Sequence, residues 1–198
     1  FHVILVPNDD GKVESQARCC LEHRVAGVVC HLMSEARANQ LHQLLGPANV
    51  PIALVGDHPP GTWGIRIGAD DQDGAEQMAE HLLSLGHRRF AHLAMPVKTR
   101  AHEASKLNAF RRKLAENGIE LPDDAIVEVV DSTAERVAPA VDALFSRATP
   151  LPTALFCGTD YLAAMALRFV KKMGFAVPED LAVAGYANIH VSRYTDPP

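Results

Sequence analysis

Short β-branched runs alternate with longer amphipathic segments along this chain, and that alternation narrows the possible folds more than any other feature. In the first third, Val3–Val6, Val25–Cys30, Val50–Val55 and Ile65–Ile67 read as strands. Val25–Cys30, apolar but for one glycine, reads as a buried one. Between them, Glu14–His23 reads as a helix, and Ser34 fits the N-cap of another that carries Leu41, Leu44 and Leu45. Beyond Asp71 the periods sharpen. Ala75, Met78, Ala79, Leu82 and Leu83 form a helical stripe closed by Gly86. Phe90–Met95, Ala125–Val130, Thr153–Cys157 and Leu181–Ala184 predict strands. Helices are predicted around Leu107, Phe110 and Leu114, around Val137, Ala140, Val141, Leu144 and Phe145, and around Leu162, Met165, Ala166, Phe169, Val170 and Met173.

Strands and helices alternating at this size imply parallel sheets covered by helices on both faces, joined by right-handed crossovers. Gly68-Ala69-Asp70-Asp71 separates two such runs. The expected organisation is therefore two doubly wound α/β lobes, 1–69 and 70–198, the first of them short. Two connections echo each other: Gly118-Ile119-Glu120-Leu121-Pro122 and Gly174-Phe175-Ala176-Val177-Pro178. Each pairs a helix-ending glycine with an apolar anchor and a proline that bars further helix.

Composition excludes several classes. With 47% hydrophobic and 22% charged residues the chain is not disordered, and its apolar runs are too short to span a bilayer, so no membrane partner is expected. The net charge of −5, with no basic run of five, gives this segment no electrostatic grip on nucleic acid. Four cysteines without a CxxC spacing read as reduced thiols in a cytoplasmic protein, and no targeting segment is visible. No GxSxG, GxGxxG or P-loop is present, so no cofactor is expected and the chain does not read as an enzyme. The ten histidines lack HxH or HxxxH spacing and read as scattered and solvated, not as a metal site.

The architecture itself places a site. Ligands of open parallel sheets bind beyond the carboxyl ends of the strands, among loops and helix N-termini. The polar residues predicted there are Asp57 and His58, Lys98, Thr99 and Arg100, Asp131 and Ser132, Thr159 and Asp160, and Asn188. Thr159 or Asp160 equally suits a helix cap, and Asp131 a solvated loop acid.

Four stretches resemble one family. They are Asp70-Asp71-Gln72-Asp73-Gly74-Ala75 leading to His81-Leu82-Leu83-Ser84-Leu85-Gly86-His87-Arg88-Arg89-Phe90-Ala91; Asn108-Ala109-Phe110-Arg111; Thr153-Ala154-Leu155-Phe156-Cys157-Gly158-Thr159-Asp160; and Val177-Pro178-Glu179-Asp180-Leu181-Ala182-Val183-Ala184-Gly185-Tyr186. In this order and spacing they resemble the effector-binding core of LacI/GalR transcription regulators.

The resemblance implies two periplasmic-binding-protein-like lobes with a small-molecule effector, a sugar or related metabolite, in the cleft between them. It also implies a homodimer, and operator DNA read by a helix-turn-helix headpiece that this chain does not contain. The family's first core strand and helix are not matched either. The first lobe is therefore expected to be incomplete, and the chain to be a portion of a longer polypeptide. Carried over by position, the effector site falls on Asp57, Lys106, Ser132, Thr159, Asp160, Ala187 and Asn188. Lys106 stands where the family has an arginine, Ser132 where it often has a stacking ring, and Ala187 where it has an aspartate. The dimer contacts fall on Leu162, Met165, Phe169 and Tyr194. The same helix stripe reads more simply as ordinary core. A solute-binding receptor of a sugar transporter would share the lobes and is the alternative.

Overall fold

A computed structural model describes residues 4, 13–31, 35–56, 63–98, 100–147 and 150–198. The chain falls into two compact units, Phe1–Ala69 and Asp70–Pro198.

In the first unit, α1 (Val13–Glu22), β1 (Val28–His31), α2 (Glu35–Leu45), β2 (Ile52–Val55) and β3 (Ile65–Ile67) follow in order. The strands pair in parallel in the order β1-β2-β3. Val13, Ala17 and Cys20 of α1 and Ala38, Leu41 and Leu45 of α2 pack with Cys30, Ile52 and Leu54 as one core. The predicted strand Val3–Val6, the Ser34 cap and the site residue Asp57, with His58, lie outside the described residues. β2 starts later than its apolar run because Pro51 has no N–H for the ladder; its carbonyl instead accepts the Val28 N–H at 2.9 Å.

The expectation of a buried strand at Val25–Cys30 is corrected. The strand is β1, and Val29 is 72% exposed. The pairing register sets Val29, Ala53 and Ile65 side by side, and likewise His31, Val55 and Ile67. Ile65 is 62% and Ile67 54% exposed. Within the described residues, the helices cover only the face that carries Cys30, Ile52 and Leu54. Leu44 is also exposed, because the buried stripe of α2 runs through Ala38, Leu41 and Leu45 and leaves it at the edge.

The second unit runs α3 (Asp71–Ser84), β4 (Phe90–Ala94), α4 (Ala101–Glu116), β5 (Ile126–Glu128), α5 (Ala134–Arg147), β6 (Ala154–Cys157), α6 (Asp160–Lys172) and β7 (Ala182–Ala184). Its parallel sheet has the order β5-β4-β6-β7. Every residue of β4 and β6, the two inner strands, is buried. Side-chain alternation divides them between two cores. Ala91, Leu93, Leu155 and Cys157 meet α5 and α6; Phe90, Ala154 and Phe156 meet α3 and α4. Helices thus cover both faces, as continuous apolar strands require. Gly118 and Gly174, the matched glycines of the two echoing connections, both take left-handed φ values, 71° and 94°.

One histidine departs from the solvated reading. His92 in β4 is fully buried against Phe110 and Phe156, and its Nδ1–H donates to the Phe156 carbonyl at 2.9 Å. Burial pushes its pKa down to about 4. Among the described residues, no group of three or more His, Cys, Asp or Glu could hold a metal ion, and no helix is long and apolar enough to cross a membrane.

Candidate functional site

The strand order of the second unit creates a switch point. From β4 the chain winds outward to β5, then returns across β4 to form β6. The loops leaving the carboxyl ends of β4 and β6 therefore part company, and a crevice opens there. α4 follows β4 directly, so its first two turns stand at this crevice.

Glu103 and Lys106 sit on those turns, one helical step apart, with 0% and 2% exposure. The Lys106 ammonium donates to Glu103 Oε1 at 2.5 Å and to the Gly158 carbonyl, just past β6, at 2.7 Å. It also lies 4.6 Å from the centre of the Tyr186 ring. The other carboxylate oxygen of Glu103 accepts the Met95 N–H at 3.2 Å, at the end of β4. A Cβ on Gly158 would collide with the Glu103 carboxylate, so the absence of a side chain there makes room for the pair. Buried charges persist only when paired and hydrogen-bonded, and these are both. Tyr186 carries the network on to α3. Burial and the carboxylates of Asp71, Asp70 and Asp73 raise its pKa, and its hydroxyl is hydrogen-bonded to Asp71.

The other predicted positions take several roles. Thr159 caps α6, its Oγ1 accepting the Leu162 N–H at 3.3 Å. Asp160 is buried and reaches forward: its carboxylate accepts the Ile189 N–H at 2.6 Å, while its own N–H donates to the Tyr186 carbonyl at 3.1 Å. It thereby holds the turn of Ala187 and Asn188, two exposed non-glycine residues at φ values of 92° and 50°. The Asn188 side chain accepts a hydrogen bond from the Ser192 hydroxyl at 3.2 Å. Asp160, Ala187 and Asn188 border a largely apolar hollow of about 480 Å³ beside β7, with Met78, Leu167 and Val183. Lys106 is not part of that hollow's wall.

Ser132 lies past β5, on the far side of β4 from Thr159, and is half-buried. Its neighbour Asp131 is a loop acid that closes a turn on Thr133. Its carboxylate accepts the hydroxyl of Thr133 at 2.5 Å and the Thr133 N–H at 2.9 Å, and these bonds lower its pKa.

For the dimer positions, one correction is needed. Leu162 is completely buried in the core between α5, α6 and the sheet and offers no surface to a partner. Met165 and Phe169 are half-buried against that core, the Phe169 ring lying under the Lys172 ammonium. Tyr194 is 73% exposed.

Reading the sequence pointed to Lys106 but passed over Glu103 and Gly158. The three-residue spacing of Glu103 and Lys106 on one helix could have signalled the pair. Nothing local signals Gly158, which arrives from 52 residues away.

Residues 79–198 match the model of the periplasmic binding protein-like domain. The chain is 31% identical over 198 residues to the HTH-type transcriptional repressor PurR of Glaesserella parasuis serovar 5 (strain SH0165), covering 96% of this chain and 55% of that protein. It is 34% identical over 170 residues to the HTH-type transcriptional regulator CelR of Thermobifida fusca, covering 84% and 49%. Among solved structures, the transcriptional regulator CelR–cellobiose complex superposes with a TM-score of 0.76 at 28% identity, over 99% of this chain and 59% of that one. The chain thus spans about half the length of the regulators it matches. All three are regulators of transcription.

Proposed function

The chain belongs to the periplasmic-binding-protein-like family, in its LacI/GalR regulator branch, and from that premise we propose that it is the effector-sensing and dimerisation part of a DNA-binding transcription regulator. The observation that carries this reading is the match to a repressor over 96% of the chain, joined to a switch-point crevice on a parallel sheet. A small metabolite, a sugar or a relative of one, is the effector, and the strand ends around Lys106, Ser132, Thr159, Asp160, Ala187 and Asn188 take part in holding it. The effector acts only if it prefers one arrangement of the protein over another. A second copy docks on the outer face of α6 and the 190–194 segment, where Met165, Phe169 and Tyr194 are at least partly accessible. The protein works in the cytoplasm, where its operator is.

The test is operator binding by the full-length protein with and without sugars, nucleobases and small acids. An effector that changes operator affinity at least tenfold supports the reading. A protein that binds no DNA, with or without ligand, overturns it.

A further inference from the structure

At the amino edge of the second unit's sheet, the opposite edge from the crevice, a second hollow of about 350 Å³ opens where three strands begin. Arg89, just before β4, and Asp180, shortly before β7, border it. Leu151 and Pro152, ahead of β6, and Met173 and Phe175, after α6, form apolar walls. Phe175 is anchored by Phe145, their ring centres 5.0 Å apart. Leu151 and Met173 are each 42% exposed and belong to neither core of the unit.

The pairing register holds the two charges apart. Phe90, Ala154 and Ala182 stand side by side on β4, β6 and β7, so the backbone at Arg89 and at Asp180 is separated by two strand spacings, about 10 Å. Arg89 uses Nε alone, which donates to the Leu151 carbonyl at 2.7 Å. Asp180 uses Oδ2, which accepts the Ala176 N–H at 2.8 Å. Among the described residues, Nη1 and Nη2 of Arg89 and Oδ1 of Asp180 have no partner. The N–H groups of Thr153, Gly174 and Phe175 are already bonded, to the carbonyls of Arg89, Lys171 and Val170. What faces the hollow is therefore a forked cation at one end, a carboxylate oxygen at the other and apolar surface between.

We propose that this hollow is a ligand site separate from the effector crevice, and that it takes a free α-amino acid with an apolar side chain, of the leucine or methionine class. The ligand carboxylate meets the terminal N–H groups of Arg89, whose parallel geometry suits a carboxylate. The ligand ammonium meets Asp180, and the side chain covers Leu151 and Met173. A plain anion would meet Asp180 as a like charge, and a neutral polyol would answer neither charge. A zwitterion answers both. The site lies at the other end of the strands and does not rest on the effector reading.

The experiment titrates the full-length protein by calorimetry with leucine, with N-acetylleucine, which lacks the ammonium, and with leucinamide, which lacks the carboxylate. Leucine is expected to bind at millimolar concentration or below, and each blocked form about tenfold more weakly. Arg89→Met and Asp180→Asn, verified as folded by circular dichroism, are each expected to weaken leucine binding by about tenfold. Should Arg89→Met not fold, Arg89→Lys, which keeps the charge but not the fork, is expected to weaken it in the same direction. Leucine is also expected to shift the Met173 methyl resonance, identified by its loss in Met173→Leu, which locates the ligand at this edge of the sheet. No leucine binding at millimolar concentration overturns the proposal. So do equal binding of leucine and its blocked forms, folded variants that bind leucine as the parent does, and a Met173 resonance that stays in place.

Discussion

Gly74 and the Tyr186 hydroxyl leave no space for a side chain between them: a Cβ on Gly74 would stand 2.5 Å from the Tyr186 oxygen and 3.0 Å from ring carbon Cε2. A glycine inside a helix costs about 1 kcal/mol relative to alanine. Here it lets the ring that supports Lys106 pass beneath the first turns of α3.

Gly74→Ala is therefore expected to destabilise the protein by about 1 kcal/mol net, overpacking outweighing the helix-propensity gain. In a Tyr186→Phe background, which removes the nearest atom but leaves ring carbons at 3.0 and 3.1 Å, the same substitution should cost less. Urea unfolding of the four proteins gives the coupling directly. Equal effects of Gly74→Ala in both backgrounds contradict the contact.

His92 predicts an acid sensitivity. Its pKa is about 4 when folded, against 6.5 as the ordinary value, because burial disfavours the cation and Lys106 and Arg111 add repulsion. The unfolded chain therefore binds the extra proton first. Stability from this group is complete above pH 6.5 and is lost as pH falls toward 4, by on the order of 3 kcal/mol. His92→Phe, packed against Phe110 and Phe156, should flatten unfolding free energy across that window. An unchanged slope in the variant assigns the acid sensitivity elsewhere.

The Thr159 cap has a measurable share of stability. Thr159→Ala is expected to cost about 1 kcal/mol, while Thr159→Ser, which retains the oxygen, should cost little. Chemical denaturation compares the three. If alanine is as stable as threonine, the hydroxyl does not hold the start of α6.

Ala187 holds a φ of 92°, a region that suits glycine. Ala187→Gly is expected to raise stability by about 1 kcal/mol, since relief of strain exceeds the entropy that glycine adds to the unfolded chain. A drop in melting temperature is the contrary result.

Periodicity alone determined much of this protein. The order of strands and helices, the helix-ending glycines at 118 and 174, and the parallel α/β class follow from local spacing, because a side chain's face on a helix or strand depends only on its neighbours in the chain. Four motifs in series were enough to indicate the family. Tertiary structure decided the rest. Among the described residues β1 is covered on one side alone, because sheet burial depends on which elements lie over it, and no pattern within Val25–Cys30 records that. Lys106 lies closed in a pair with Glu103 beneath Gly158 because a strand 52 residues later brings its carbonyl to the ammonium. Asp160 grips the Ile189 amide for the same kind of reason. A residue's type is written in the sequence, but the company it keeps across the fold is set by packing between segments that share no local period.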